Sequence, residues 1–314
     1  MDHPRPDVLV VGDANPDLVL SGDVVPRFGQ EEQLLERADL VLGGSAAITA
    51  AGLARLGVPV ALAAWVGDDA FGHDVVARLA ARGVDVSLVR THATLGTGIT
   101  VVLNVEGDRA ILTKVGTIAA LLASDVTDDD LDGVRHVHVA SFFLQSRLAE
   151  GLPDLLCRAQ ARGATTSLDT NWDPSERWEG VAEVLPYVDV LLPNAAELMA
   201  LATVAGGGSV PVDVDAAAGR LTRTGTTVAL KDGADGGRVW TPAGCWSAPG
   251  LPGDLVDAVG AGDSFNAGFL AGRLRGLSPA DALRWAVGCG SLSVRAAGGT
   301  AGQPTLAQLE QALG

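Results

Sequence analysis

The segment DAVGAGDSFNAG, Asp257–Gly268, places two glycines and a single carboxylate at the junction between a turn and a helix. Gly260 and Gly262 allow backbone conformations that aim several N–H groups at one point, and the first helical turn adds unpaired donors and a positive dipole end. An anion can be held there without a lysine. Asp263 lies within reach of such an anion, suited to accept a proton from a hydroxyl that attacks a phosphorus held in the turn. The helix N-terminus is expected to lower its pKa and keep it ionised at neutral pH. Gly268 and Ala271 let the same helix pack close to its neighbours. Local rules also allow a plainer reading, in which Asp263 only caps a helix after a tight turn.

Outward from this segment, short β-branched runs alternate with alanine- and leucine-rich amphipathic stretches, the pattern of βα units around a mainly parallel sheet. Strands are expected at Val8–Val11, Val58–Trp65, Val86–Arg90, Val137–Ala140, Thr165–Asp169, Val188–Leu192 and Thr226–Leu230. Helices are expected at Ser45–Leu56, Phe71–Ala81, Leu148–Ala161, Ala195–Thr203 and Asp213–Thr224. Two stretches break the rhythm. Asp17–Val25 reads as extended, and Gly98–Lys114 reads as a hairpin turning at Glu106–Asp108. Hairpins inserted in an α/β sheet commonly form a flap. No linker divides the 314 residues, so one domain is expected.

With 22 basic and 38 acidic residues the net charge is 22 − 38 = −16, and no basic cluster stands out. That balance argues against nucleic acid and against an anionic membrane surface, so any phosphate must be held locally. No apolar run is long enough to span a bilayer, and the N-terminus does not read as a secretory leader. Cys157, Cys245 and Cys289 are odd in number and far apart, which suggests neither a disulfide framework nor a zinc site and fits a cytoplasmic protein. His136 and His138 alternate on an expected strand and read as structural.

Four further segments carry candidate chemistry. VVGDANPD, Val10–Asp17, ends a strand and presents Asp13, Asn15 and Asp17 at alternate positions, which suits a polyhydroxylated ligand or a plain turn. LGGSAAITAAGLARLG, Leu42–Gly57, opens a helix on Gly43 and Gly44, where a substrate could approach the backbone. In LLPNAAELMAL, Leu191–Leu201, Asn194 and Glu197 form either a capping box or, near a magnesium-bound phosphate, a pair that organises the metal's waters. ALKDGADGGRVW, Ala229–Trp240, is a strand, a glycine-rich turn and a second strand that could run beside a nucleotide's phosphates. The WVGDDAFG segment, Trp65–Gly72, reads as a helix cap, and the Asp128–Asp130 run as a helix start on solvated surface.

Together these segments resemble the PfkB, or ribokinase-like, family of carbohydrate kinases, from Gly12 to Gln303. DAVGAGDSFNAG is similar to the family's C-terminal signature, the glycine pair followed by a helix and GDDAFG to its N-terminal signature, and Asn194–Glu197 to its N-x-x-E motif. The resemblance implies a three-layer α/β/α domain with a mainly parallel central sheet and a small β-sheet lid, here about 17–42 and 95–116. It implies transfer of the γ-phosphoryl group of ATP, with Mg2+, to a hydroxyl of a small-molecule sugar or sugar derivative. Asp263 would be the general base and the amides of Gly260, Ala261 and Gly262 the anion hole. Asn15, Asp17, Gly43 and Gly44 would contact the sugar. Asn194 and Glu197 would serve the metal and phosphates, and Lys231, Gly233 and Gly236 the nucleotide. Asp257 stands where several members bind a monovalent cation, so K+ is a candidate ligand, and lid strands in the family often pair into homodimers.

Two positions depart from the family pattern. Ile48 replaces an asparagine that commonly holds sugar hydroxyls, which argues against ribose and simple nucleosides. Ala258 replaces a threonine in the signature that carries Asp257. The SLDTNWDPSERW stretch, Ser167–Trp178, resembles that of fructokinase-like and 2-keto-3-deoxygluconate kinase members, so Asp169 and Asn171 are expected to face substrate or phosphates and those acceptors are favoured. The alternatives are a nucleoside kinase and a catalytically weak sugar- or nucleotide-binding sensor on the same fold. A dinucleotide-dependent oxidoreductase is disfavoured because no G-x-G-x-x-G follows the first strand.

Overall fold

Val8–Val11 is wholly buried, as a strand covered by helices on both faces requires. It is the first of thirteen strands in the computed structural model, which describes residues 5–105 and 108–314; Glu106 and Gly107, in the expected hairpin turn, lie outside the described residues. The strands are β1 (Val8–Val11), β2 (Asn15–Gly22), β3 (Leu35–Gly43), β4 (Val60–Gly67), β5 (Val89–His92), β6 (Ile99–Val105), β7 (Asp108–Lys114), β8 (His136–Ala140), β9 (Thr165–Asp169), β10 (Val190–Leu191), β11 (Thr227–Lys231), β12 (Gly237–Thr241) and β13 (Gly244–Ala248). The helices are α1 (Ser45–Arg55), α2 (Ala70–Ala81), α3 (Asp128–Leu131), α4 (Ser146–Ala161), α5 (Val181–Val184), α6 (Ala195–Ala205), α7 (Val214–Leu221), α8 (Ala261–Leu274), α9 (Pro279–Ser293) and α10 (Leu306–Leu313).

Nine strands form one sheet in the order β13-β12-β11-β10-β9-β8-β1-β4-β5. Every pair from β11 to β5 is parallel, and only β12 and β13 join antiparallel. Alternate residues of the strands feed two cores. Val8, Val10, Leu62, Ala229 and Phe269 pack on one side, and Leu9, Val11, Val137, Leu168 and Val228 on the other. Helices cover both, which makes three layers. Two expected strands differ in detail: residues 86–88 turn before β5, and β10 is only two residues long because the chain leaves the ladder before Pro193, which lacks an N–H.

The two stretches that break the βα rhythm meet in a second sheet of order β3-β2-β6-β7. One face of it, Asp17 and Val19 of β2 with Thr100 and Val102 of β6, turns toward the main body, and Val19 and Val102 pack on Val259. The middle of the opposite face is apolar, and Lys114 of β7, opposite Ile99, stands at one end of it. Its two rows, Leu40-Leu18-Val101-Leu112 and Ala38-Leu20-Leu103-Ala110, contain no charged residue, and none of the eight is fully buried. Among the described residues no helix is long and apolar enough to cross a membrane.

Candidate active site

In an open parallel sheet, ligands gather beyond the carboxyl ends of the strands, where the order of connections reverses. Here β1, flanked by β8 and β4, ends at Val11 just before Gly12, and β9 and β11 end at Asp169 and Lys231. The start of α8 lies over these ends. Gly260 caps α8 with φ of 70°, and a Cβ there would come within 2.6 Å of Gly299 Cα, so only glycine fits the turn. Asp263 is the third residue of the helix. The Ala261 N–H makes a long bond of 3.3 Å to Ala258 O, while Gly262 and Asp263 sit in the first turn, where helical N–H groups have no acceptor within the helix.

The residues expected to contact the acceptor come from β1, β2 and the start of α1. Gly44 caps α1 with φ of 85° but offers no side chain, so the free amides at the helix start are taken by Asp13. Its carboxylate accepts the Ser45 N–H at 3.1 Å, the Ala46 N–H at 2.9 Å and the Ser141 hydroxyl at 2.9 Å. Asp13, one of three polar residues placed at this strand end by the sequence, therefore anchors a helix. Asn15 Nδ2 donates to Asp17 Oδ1 at 3.0 Å, and the Asp17 carboxylate lies against Gly43 so closely that any side chain on Gly43 would collide with it. Burial, then the charge of Asp13, pushes the Asp17 carboxyl up to about 7. Ser45 Oγ donates to Asp263 Oδ1 and so links this side to α8.

The residues expected to face the nucleotide gather in a recess of about 320 Å³, where Lys231, Gly233 and Gly236 face Ala261 and Gly262. Leu251, Phe265 and Val287 supply an apolar wall. Asn194 and Glu197 stand behind it. They form a reciprocal capping box at the start of α6, Glu197 Oε2 accepting the Asn194 N–H at 2.8 Å and Asn194 Oδ1 the Glu197 N–H at 2.9 Å. The Asn194 segment bridges to Lys231. Burial raises the Glu197 carboxyl, the Lys231 ammonium opposes that rise, and the Asp169 charge adds to it.

Two expectations are corrected. Asp263 is not held low by its helix: burial, followed by the charge of Asp169, pushes its carboxyl up to about 7, against the Ser45 hydrogen bond and the Lys231 ammonium. Removing the charge from water outweighs a partial dipole. Asp169 does not face an open pocket. It is fully buried, and its carboxylate takes Lys231 Nζ at 2.6 Å, Asn266 Nδ2 at 2.6 Å and the Asn171 N–H at 3.1 Å. Burial alone would raise Asp169, but Lys231 and these hydrogen bonds more than offset it and hold the carboxyl below its ordinary range. Asp169 thus fixes Lys231 beside the turn of α8. Asn171, in the left-handed region at φ of 54°, accepts the Ser141 N–H at 2.9 Å through Oδ1.

Asp257 Oδ1 accepts the Val259 N–H and Oδ2 the Gly298 N–H, both at 2.9 Å, which ties the segment before α8 to the loop after α9. Ala258 lines the recess of Lys231 and Gly262. Ile48 is buried against Gly299, and its carbonyl accepts Gln303 Nε2 at 2.9 Å. Sequence reasoning missed Ser45 and Asn266. Asn266 follows Asp263 by three residues on the same helix face, and Ser45 is the first side chain after the glycine pair; both signals were present. Among the described residues no cluster of three or more His, Cys, Asp or Glu is arranged to hold a metal ion.

Comparison with known proteins adds four findings. The pfkB family carbohydrate kinase model matches residues 5–306. The chain is 34% identical over 289 residues to the ATP-dependent ribose-1-phosphate kinase of Halopiger xanaduensis, covering 91% of each chain. It is 30% identical to the 2-dehydro-3-deoxygluconokinase of Bacillus subtilis, covering 85% of each chain. A solved structure of a ribokinase II from E. coli in complex with ATP and Mg2+ superposes with a TM-score of 0.86, covering 98% of this chain and 99% of that one at 24% identity.

Proposed function

The chain belongs to the pfkB family of carbohydrate kinases and is an ATP-dependent sugar kinase, and from that premise we propose that Asp263 is its general base and that its acceptor is a sugar derivative rather than free ribose. The observation that carries the first part is the position of Asp263, on the first turn of α8 between the recess of Lys231 and Gly262 and the polar group of Asn15, Asp17 and Ser45. A hydroxyl bound beside Asp17 and a phosphoryl group bound at the α8 turn would meet there. Asp263 accepts the hydroxyl proton as the oxygen–phosphorus bond forms, a late transfer that asks little basicity of it in a loose transition state.

The amides of Gly260, Ala261 and Gly262 and the Lys231 ammonium take the developing phosphoryl charge, with Asp169 and Asn266 holding Lys231 in place. Asn15, Asp17, Gly43 and Gly44 orient the acceptor, Asn171 borders it, and Gly233 and Gly236 let the nucleotide approach the backbone. The small sheet acts as a lid that excludes water. Mg2+, when bound, would neutralise phosphate charge, and Asn194 and Glu197 would serve it, Glu197 through water. Asp257 is the candidate contact for K+, and its two occupied oxygens leave lone pairs for such an ion. The apolar centre of the outer face of the small sheet is proposed to pair with a second copy, and three free thiols, two of them exposed, fit a reducing cytoplasm.

Ile48 carries the second part. It presents hydrocarbon where the family commonly has an amide for sugar hydroxyls, so an acceptor that relies on that amide loses a partner. The acceptors to compare are 2-keto-3-deoxygluconate, fructose, ribose 1-phosphate, ribose and nucleosides, in a coupled assay of ADP release. The proposal expects one of the first three to exceed ribose in kcat/KM by at least about tenfold, the worth of one lost hydrogen bond. Equal or better turnover of ribose would overturn it.

A further inference from the structure

Asp263 Oδ1 already has a hydroxyl donor in the protein itself, Ser45 Oγ. The contact joins residues 218 apart in sequence, so it exists only because α1 and α8 are set side by side by the fold. Ser45 is 8% exposed and Asp263 9%, which keeps bulk water from replacing the pair freely. The placement of Ser45 is fixed three ways. Its own N–H is held by Asp13 at 3.1 Å. One turn along α1, Thr49 Oγ1 donates to the Asp263 carbonyl at 3.4 Å. Across the same interface, Gln303 Nε2 bridges Ile48 O at 2.9 Å and Ser264 Oγ at 3.2 Å. Among the described residues no hydrogen bond reaches Asp263 Oδ2.

We infer that Ser45 is a positioning residue for the base: its hydroxyl clamps one oxygen of Asp263, leaves the other turned to the acceptor hydroxyl, and favours the ionised carboxylate that can take a proton. This rests on the reading of Asp263 as the base. A hydroxyl that donates to a carboxylate stabilises the anion and can do nothing comparable for the protonated acid. The groups facing Asp263 come from four elements. Asp169 at the end of β9 and Asp13 after β1 oppose its ionisation, as does burial; Lys231 at the end of β11 and Ser45 on α1 favour it. Lys231 is already committed to Asp169, so Ser45 is the donor that acts on Asp263 directly. Replacing Ser45 leaves burial and two carboxylates with one distant opponent.

The test pairs Ser45→Ala with Ser45→Thr, which keeps the hydroxyl. In Ser45→Ala the acid limb of kcat/KM for the sugar is expected to move up by about one pH unit, the worth of one charge-assisted hydrogen bond, so that turnover falls about tenfold near pH 6 and recovers toward pH 9. KM for ATP stays within about twofold, because no nucleotide contact is lost. Ser45→Thr restores the wild-type limb. The same displacement is expected without any substrate, in the 13C titration of the Asp263 carboxyl, its resonance identified by its absence in Asp263→Asn. An unmoved titration midpoint in Ser45→Ala, or a loss of turnover of equal size at every pH, would overturn the proposal. Because the titration needs no turnover, a moved midpoint in a protein that phosphorylates no sugar would leave the Ser45 assignment standing and count against the kinase reading alone.

Discussion

A carboxylate at a helix start can be a cap, a metal ligand or a base, and burial sets Asp263 apart from an exposed cap. An exposed cap would gain from the helix dipole and stay acidic; this one is enclosed with Asp169 and Asp13 nearby, and its carboxyl rises to about 7. The sign of the consequence follows directly. As the proposed base Asp263 must be ionised to act, so kcat/KM for the sugar is expected to fall on the acid side with an apparent pKa of about 7 in wild type. A profile flat from about pH 5 to 8 would contradict it. The sequence made Asp263 conspicuous through its flanking glycines, but not its pKa, because the opposing charges arrive from β1 and β9, far away in the chain. Asp169 was misread for the same reason: its partner Lys231 lies 62 residues on.

At the scale of elements, strand ends and helix starts were legible because glycine, proline and cap residues mark them locally. The start of α6 was readable from Asn194 and Glu197 alone, and Asp69 caps α2 by accepting the Gly72 N–H at 2.8 Å. The start of α1 was not, since its cap is the carboxylate of Asp13, 32 and 33 residues away from the amides it holds. The α8 turn makes a sharp demand on one residue. Gly260→Ala must accommodate both a positive φ and a collision with Gly299, at a cost of about 1–3 kcal/mol. The variant is expected to melt several degrees lower and to lose at least about tenfold in kcat/KM for ATP; wild-type melting and kinetics would show that the turn is not under this constraint.

For the whole molecule, the βα rhythm announced the three-layer body, and the two interruptions announced the small sheet, whose strands are distant in sequence but each recognisable by its own alternation. That alternation also exposes the sheet's unusual outer face. A soluble sheet edge-on to water should read apolar on one side and polar on the other, yet Leu18, Leu20, Val101 and Leu103 occupy the side that faces away from the body. If a second copy covers it, light scattering should give the mass of a dimer for wild type and of a monomer for Leu20→Lys with Leu103→Lys, since two buried charges per protomer are not tolerated in an apolar interface; a monomeric wild type would refute the pairing. The proposed mechanism rests on the arrangement of all these parts around one carboxylate, Asp263. The most direct measurement is single-turnover transfer of the γ-phosphoryl group from ATP to the acceptor, in wild type and in Asp263→Asn. Wild type should form phosphorylated sugar in step with ADP, and the variant should do so at least about a hundredfold more slowly with nucleotide affinity nearly unchanged; transfer at the wild-type rate in the variant would contradict the assignment of Asp263 as the base.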